Sequence, residues 1–186
     1  MRSRIRSLAA ATLLAFGAGA AASAYVPSVA DLDAAARSVG NRRDVAQRIG
    51  ESVFRTQWAA QVSQISANKL GGHLIVGVRL WGVKFHGPLT RERFVDEIVA
   101  LVARAFVAAP DAEEADVWTS VPISVAKGVV VSGDLAKPTS RTVFSVTVRR
   151  SESLASLRHR IGAGGSGVFW DAQWAASAFV ASEKPA

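Results

Sequence analysis

The stretch WGVKFHGPLTRERFVDEI, residues 81–98, gathers the side chains of this sequence best suited to chemistry. His86 stands between Lys84 and a Gly87-Pro88 turn, and Arg91, Glu92, Arg93, Asp96 and Glu97 follow. Two chemistries fit these residue types. An imidazole with nearby carboxylates can exchange protons or hold a metal, and Glu92 and Asp96, four apart, share one face of a helix. A metal site needs further strong ligands at set spacings, and no H-E-x-x-H pattern supplies them, so no metal and no cofactor is expected. The second chemistry is anion binding. A helix starting after Thr90 turns free N–H groups and its positive dipole end towards Lys84, His86, Arg91 and Arg93. Glu92 and Asp96 oppose this, because first-turn acids already answer the dipole. The plainest reading makes His86 the solvated end of a strand, and it is favoured over both.

Other candidates are thinner. KGVVVSGDLAKPTSR places Lys127, Asp134, Lys137 and Arg141 in one loop region. Asp134 is a conceivable catalytic carboxylate, but Ser132-Gly133-Asp134 reads more simply as a β-turn. No G-x-S-x-G elbow accompanies the serines. GAGGSG, residues 162–167, lacks the Lys-Ser/Thr of a phosphate loop and reads as a flexible connection. Trp170 and Trp174 read as anchors of a tail, with an aromatic patch for sugars or a protein partner as the second choice.

The elements that carry these residues follow from periodicity. Residues 29–53 predict one broken helix or two short ones, capped by Ser28 and interrupted at Gly40-Asn41, with Val45, Ile49 and Val53 on one face. Trp58, Ala60 and Val62 alternate with Gln57, Gln61 and Ser63, as in a strand, and Asn68–Gly72 reads as a turn. In the next strand Leu74, Val76, Val78 and Leu80 share one face and His73, Arg79 and Trp81 the other. The phase slips near Gly82, which predicts a β-bulge there, with Val83 and Phe85 inward and Lys84 and His86 outward. Thr90 caps a helix with Leu89 and Phe94 as its hydrophobic staple, and Ile98, Leu101, Val102, Ala105 and Phe106 extend its apolar stripe.

Two or three more strands follow. In the first, Val117, Thr119, Val121 and Ile123 alternate with Trp118 and Ser120, and Pro122 argues for an edge strand or a bend. Another pairs Phe144, Val146 and Val148 on one side with Val143, Ser145, Thr147 and Arg149 on the other. Ser151 or Ser153 caps a last helix containing Leu154, Leu157 and Ile161. This order predicts an α+β fold, an antiparallel sheet of about four to five strands with helices packed mainly on one face.

The first residues predict destination. Arg2, Arg4 and Arg6 precede an apolar run from Leu8 to Ala22, and Ala22-Ser23-Ala24 matches a small-x-small cleavage site, the pattern of a secretory signal peptide. The expected organisation is therefore residues 1–24 as signal peptide and 25–53 as a helical segment, with 54–161 as the core and 162–186 as a linker and docking aromatic tail. No later run is long enough to span a bilayer.

With 186 residues, 49% hydrophobic and 20% charged, the chain is the size of one globular domain. It has no cysteine, which excludes disulfides and thiolate chemistry. Losing Arg2, Arg4 and Arg6 lowers 22 basic residues to 19 against 15 acidic ones, leaving +4. That modest excess argues against nucleic acid and for an anionic envelope component.

The expectation is an exported protein, periplasmic or extracellular, that binds or scaffolds without catalysis. Its partner is an anionic envelope ligand or another protein, and its contact surface the uncovered sheet face. The residues expected there are Gln57, Gln61, Arg79, Lys84, His86, Ser145, Thr147 and Arg149, with Arg91 nearby. The alternative is a hydrolase of envelope material using His86 with Asp96 or Asp134. A third reading is a subunit whose apolar edge or tryptophan tail is completed in an oligomer.

Overall fold

The computed structural model describes residues 37–53, 61–82, 89–122 and 140–180. In chain order the elements are β1 (Ser38–Val39), α1 (Arg43–Val53), β2 (Val62–Leu70), β3 (His73–Trp81), α2 (Arg91–Ala108), β4 (Ala112–Pro122), β5 (Ser140–Arg149), α3 (Leu154–Ala163), β6 (Val168–Trp170) and α4 (Ala172–Ala178). The fold is α+β, and the six strands stand side by side in chain order.

The sheet is mixed, which corrects the expectation of four to five antiparallel strands. β2–β3, β4–β5 and β5–β6 pair antiparallel, whereas β1–β2 and β3–β4 are parallel. The helix itself explains β4. The 18 residues of α2 span roughly 27 Å at 1.5 Å per residue. The nine residues of β3 cover about 30 Å. A helix that long returns the chain to the end where β3 began, so the next strand must run parallel.

Local chemistry sets the joints. Gly71 and Gly72 have φ of 56° and 94°, the two positive values of a tight two-residue hairpin turn. The strand therefore continues through Asn68, Lys69 and Leu70, where a longer turn was expected. Ser38–Val39 is a strand and not part of a helix, because it pairs with Ile65 and Ser66 of β2. Gly40 makes that approach feasible: a Cβ there would lie 2.3 Å from the Ala67 carbonyl oxygen. Pro122 sits at the end of β4, a strand paired on both sides. Neither an edge nor a bend is required, since a terminal proline removes no interior ladder bond.

Gly82, at φ 62°, follows the last residue of β3 and donates its N–H to the Ser120 carbonyl. The expected slip beyond it lies outside the described residues. An irregularity does occur where Thr119 pairs with Phe144 and Ser120 with Thr142. Val143 is the extra residue there and is fully buried, although strict alternation assigned it to the polar side.

The helices share one face of the sheet. α1 packs on α2, and α2 on α3. Beneath them lie Ile65 and Ala67 of β2, Leu74, Val76, Val78 and Leu80 of β3, Ala115 and Val117 of β4, and Val146 and Val148 of β5, all buried. Thr90 caps α2 by accepting from the Arg93 N–H at 3.2 Å, and the staple residues Leu89 and Phe94 are both buried. Phe94 meets Phe144, Trp170, Trp174 and Phe179 at centroid distances of 5.0–5.7 Å. Trp170 also donates its indole N–H to the Ile161 carbonyl, and Val180 N–H reaches the Leu89 carbonyl. Both tail tryptophans therefore belong to the core. Among the described residues no helix is long and apolar enough to cross a membrane.

Candidate functional site

The strand positions that alternate with the core form the opposite face. Register places Asn68, Ile75, Glu114 and Arg149 in one row across β2 to β5. Ser66, Gly77, Asp116 and Thr147 form the next row, and Gln64, Arg79, Trp118 and Ser145 the third, which Phe169 of β6 extends. Cross-strand neighbours at this spacing touch, so each row is a continuous strip of surface. None of the described helices lies over it.

The middle of the face is organised by Trp118. A Cβ at Gly77 would lie 2.8 Å and 2.9 Å from Trp118 Cη2 and Cζ3, and 2.6 Å from Ser66 Oγ. The indole therefore extends over the bare backbone of β3 and is half-buried on the sheet. Beside it Thr147 donates its hydroxyl to Asp116 Oδ1 at 2.6 Å. That bond occupies one carboxylate oxygen and fixes the centre of the face.

The two ends differ in charge. At one end a cleft of about 660 Å³ is lined by His73, Ile75, Glu113, Glu114 and Arg149, among others. There His73 Nδ1 lies 2.6 Å from Glu113 Oε2, so acids and bases are mixed. At the other end a cleft of about 460 Å³ is lined by Arg37, Ser63, Gln64, Arg79 and Trp81, with Val39 and Ser140 completing it. Among the described residues no carboxylate contributes to that lining. Arg79 Nε is buried with no hydrogen-bond partner, whereas Trp81 is 38% exposed.

The candidate binding residues are thus separated. Arg79 and Arg149 share the face but belong to different clefts. Thr147 belongs to the row between theirs, and Ser145 shares the row of Arg79. Arg91 is elsewhere: its Nη2 donates to the Gly162 carbonyl at 3.1 Å and its guanidinium lies 4.7 Å above the Trp170 ring. It ties the start of α2 to the end of α3, on the helix side. Lys84, His86, Gln57 and Asp134 lie outside the described residues. Asp96, offered as a partner for His86, is held by Arg158 of α3 through Nε at 2.5 Å and Nη2 at 3.1 Å. That bidentate pair raises the Arg158 pKa, first through its hydrogen bond to Asp96. Among the described residues no three His, Asp or Glu side chains are grouped to hold a metal ion.

Sequence reasoning missed Trp118, Trp81, Gln64 and Arg37 as members of this surface. A signal existed for the first. Gly77 interrupts a strand of β-branched and leucine residues on its polar phase, and an interior strand glycine marks close approach by another group. Which group approaches depends on strand pairing, which one strand's pattern does not contain.

No protein-family model, curated protein or solved structure matches the chain.

Proposed function

We propose that this is an exported, non-catalytic binding domain of the cell envelope, and that its contact surface is the sheet face opposite the helices. One observation carries the reading: the four long strands bury one row against the helices and present a polar, tryptophan-bearing row that no described helix covers. An antiparallel or mixed sheet with one free face is a common platform for a partner. Charge favours the Arg79 end, where the lining is basic, and an anionic envelope component fits it. Export rests on the signal-peptide pattern of residues 1–24.

Oxidative side-chain footprinting of the purified protein, with and without solubilised envelope material, tests this. Protection of Trp81, Trp118 and Ile75 is the expected result. Protection confined to the outer helix surface, at Val107 and Leu154, rejects the sheet face as the contact surface. Intact mass of the exported protein checks cleavage after Ala24.

A further inference from the structure

Trp118, at the centre of the open face, is seated on bare backbone. Its distal carbons Cη2 and Cζ3 occupy the space above Gly77, where a Cβ would meet them at 2.8 Å and 2.9 Å. An interior glycine weakens its strand, and here it lets the ring settle against β3. The ring also lines a cleft of about 340 Å³, together with Asp116, Thr142, Ser145 and Thr147.

Each part of that lining asks for a particular partner. Thr147 donates to Asp116 Oδ1 at 2.6 Å, which orients the carboxylate. A carboxylate has about four acceptor positions, so donors of a ligand still find a place on it. Ser145 stands beside Trp118 in register, and Thr147 beside Asp116. Their hydroxyls, like that of Thr142, can both donate and accept. The indole asks for an apolar surface one ring wide.

Ligand classes meet these demands unequally. An anion is repelled by Asp116 and belongs at the Arg79 end of the face. A wholly apolar ligand covers the carboxylate and hydroxyls without answering their hydrogen bonds, which is costly. An ammonium answers the carboxylate and the indole but has no acceptor for the hydroxyls. A pyranose ring answers all of them. The C–H groups of one face lie on the indole, while hydroxyls at the ring's edge donate to Asp116 and exchange hydrogen bonds with Thr142 and Ser145. We propose that this cleft binds a saccharide chain, with one pyranose ring lying on Trp118. The inference rests on the sheet face being the contact surface and adds the ligand class taken at its middle.

Titration of the isotope-labelled protein with cellotetraose, chitotetraose, maltotetraose and mannotetraose, followed by NMR, tests it. At least one of these shifts the Trp118 indole N–H signal, identified by its loss in Trp118→Phe. Calorimetry then gives the affinities. Trp118→Ala weakens the best saccharide by about tenfold or more, and Trp118→Phe, which keeps a smaller ring, by less. Asp116→Asn weakens it by about fivefold, because a neutral acceptor replaces a charged one. Arg149→Gln, on the same face but in a different cleft, leaves the affinity unchanged. Tetramethylammonium binds at least about tenfold more weakly than that saccharide.

Tetramethylammonium binding as tightly as the best saccharide, or undiminished saccharide affinity in folded Trp118→Ala and Asp116→Asn variants, would overturn the proposal. Should Trp118→Ala fail to fold, Trp118→Phe and Asp116→Asn carry the same test. If every saccharide fails while envelope material still shields Trp81 and Ile75 from oxidation, the ligand class falls and the contact surface stands.

Discussion

Replacing Gly40 by alanine makes the hardest demand on the geometry that holds β1, and with it Arg37, against the sheet. Gly40 has φ 101°, and alanine on that side of the backbone map carries about 1–2 kcal/mol of strain. Its Cβ would also stand 2.3 Å from the Ala67 carbonyl oxygen and 2.8 Å from Asn68 Oδ1. The carbonyl belongs to a strand paired on both sides, so β2 cannot yield without damaging its own ladder. Relief comes from parting β1 from β2.

That parting breaks the Arg42 N–H to Ala67 bond at 3.0 Å and the Asn41 bonds to Asn68 and Lys69 at 2.7–3.2 Å. Each contributes about 1 kcal/mol net. The four bonds together set the expected loss at about 4 kcal/mol. Its ceiling is the docking free energy of β1, because the edge unpairs before the domain unfolds. Gly71→Ala is the comparison: φ is 56° and nothing lies within 4 Å of the added Cβ, so only the backbone strain of about 1 kcal/mol applies. Urea unfolding followed by circular dichroism should place Gly40→Ala about 3 kcal/mol below Gly71→Ala. Equal losses in the two variants would refute the close approach of Gly40 to β2.

Three further outcomes follow from named contacts. Arg160 clamps Glu152 at 2.6 Å and 2.8 Å and also holds the Ser166 and Thr147 carbonyls. Its side chain is 20% exposed, so Arg160→Ala should cost about 2–3 kcal/mol in urea unfolding. Thr119 Oγ1 is buried without a partner, and Thr119→Val should raise stability by about 1 kcal/mol by the same assay. The Arg42 hydrogen bond holds the Asp44 carboxyl well below its ordinary value. Its stabilisation is full above the unfolded value of about 4 and drains as pH falls towards the folded one. Asp44→Asn should therefore flatten the acid limb of the stability profile slightly, because the pair is exposed.

What could be read from sequence follows the range of the interactions. The cap and staple of α2 depend on residues four or five apart, and Thr90, Leu89 and Phe94 appear where the pattern put them. Alternation in β3 was legible for the same reason. The parallel pairing of β4 was derivable from helix length but was not drawn from it. β1, at two residues, is too short to show a period and exists through Gly40 and Asn41 reaching β2. At the site, Arg79 and Arg149 were assigned to the right face by alternation. Their separation into a basic and a mixed cleft depends on neighbours from β1, β4 and β5. Trp118 was seen on its polar phase, and only register sets it over Gly77.

Sedimentation with cell-envelope fragments measures the central claim directly, using the wild type, Arg79→Glu and Val107→Glu. Arg79 lies in the basic cleft of the open face, and Val107, 81% exposed on α2, lies on the helix layer. Each variant gains one acidic side chain, so a nonspecific charge effect would appear in both, stronger for the arginine by one unit. The account predicts that Arg79→Glu abolishes retention and Val107→Glu retains it. Retention lost in Val107→Glu and kept in Arg79→Glu would contradict it.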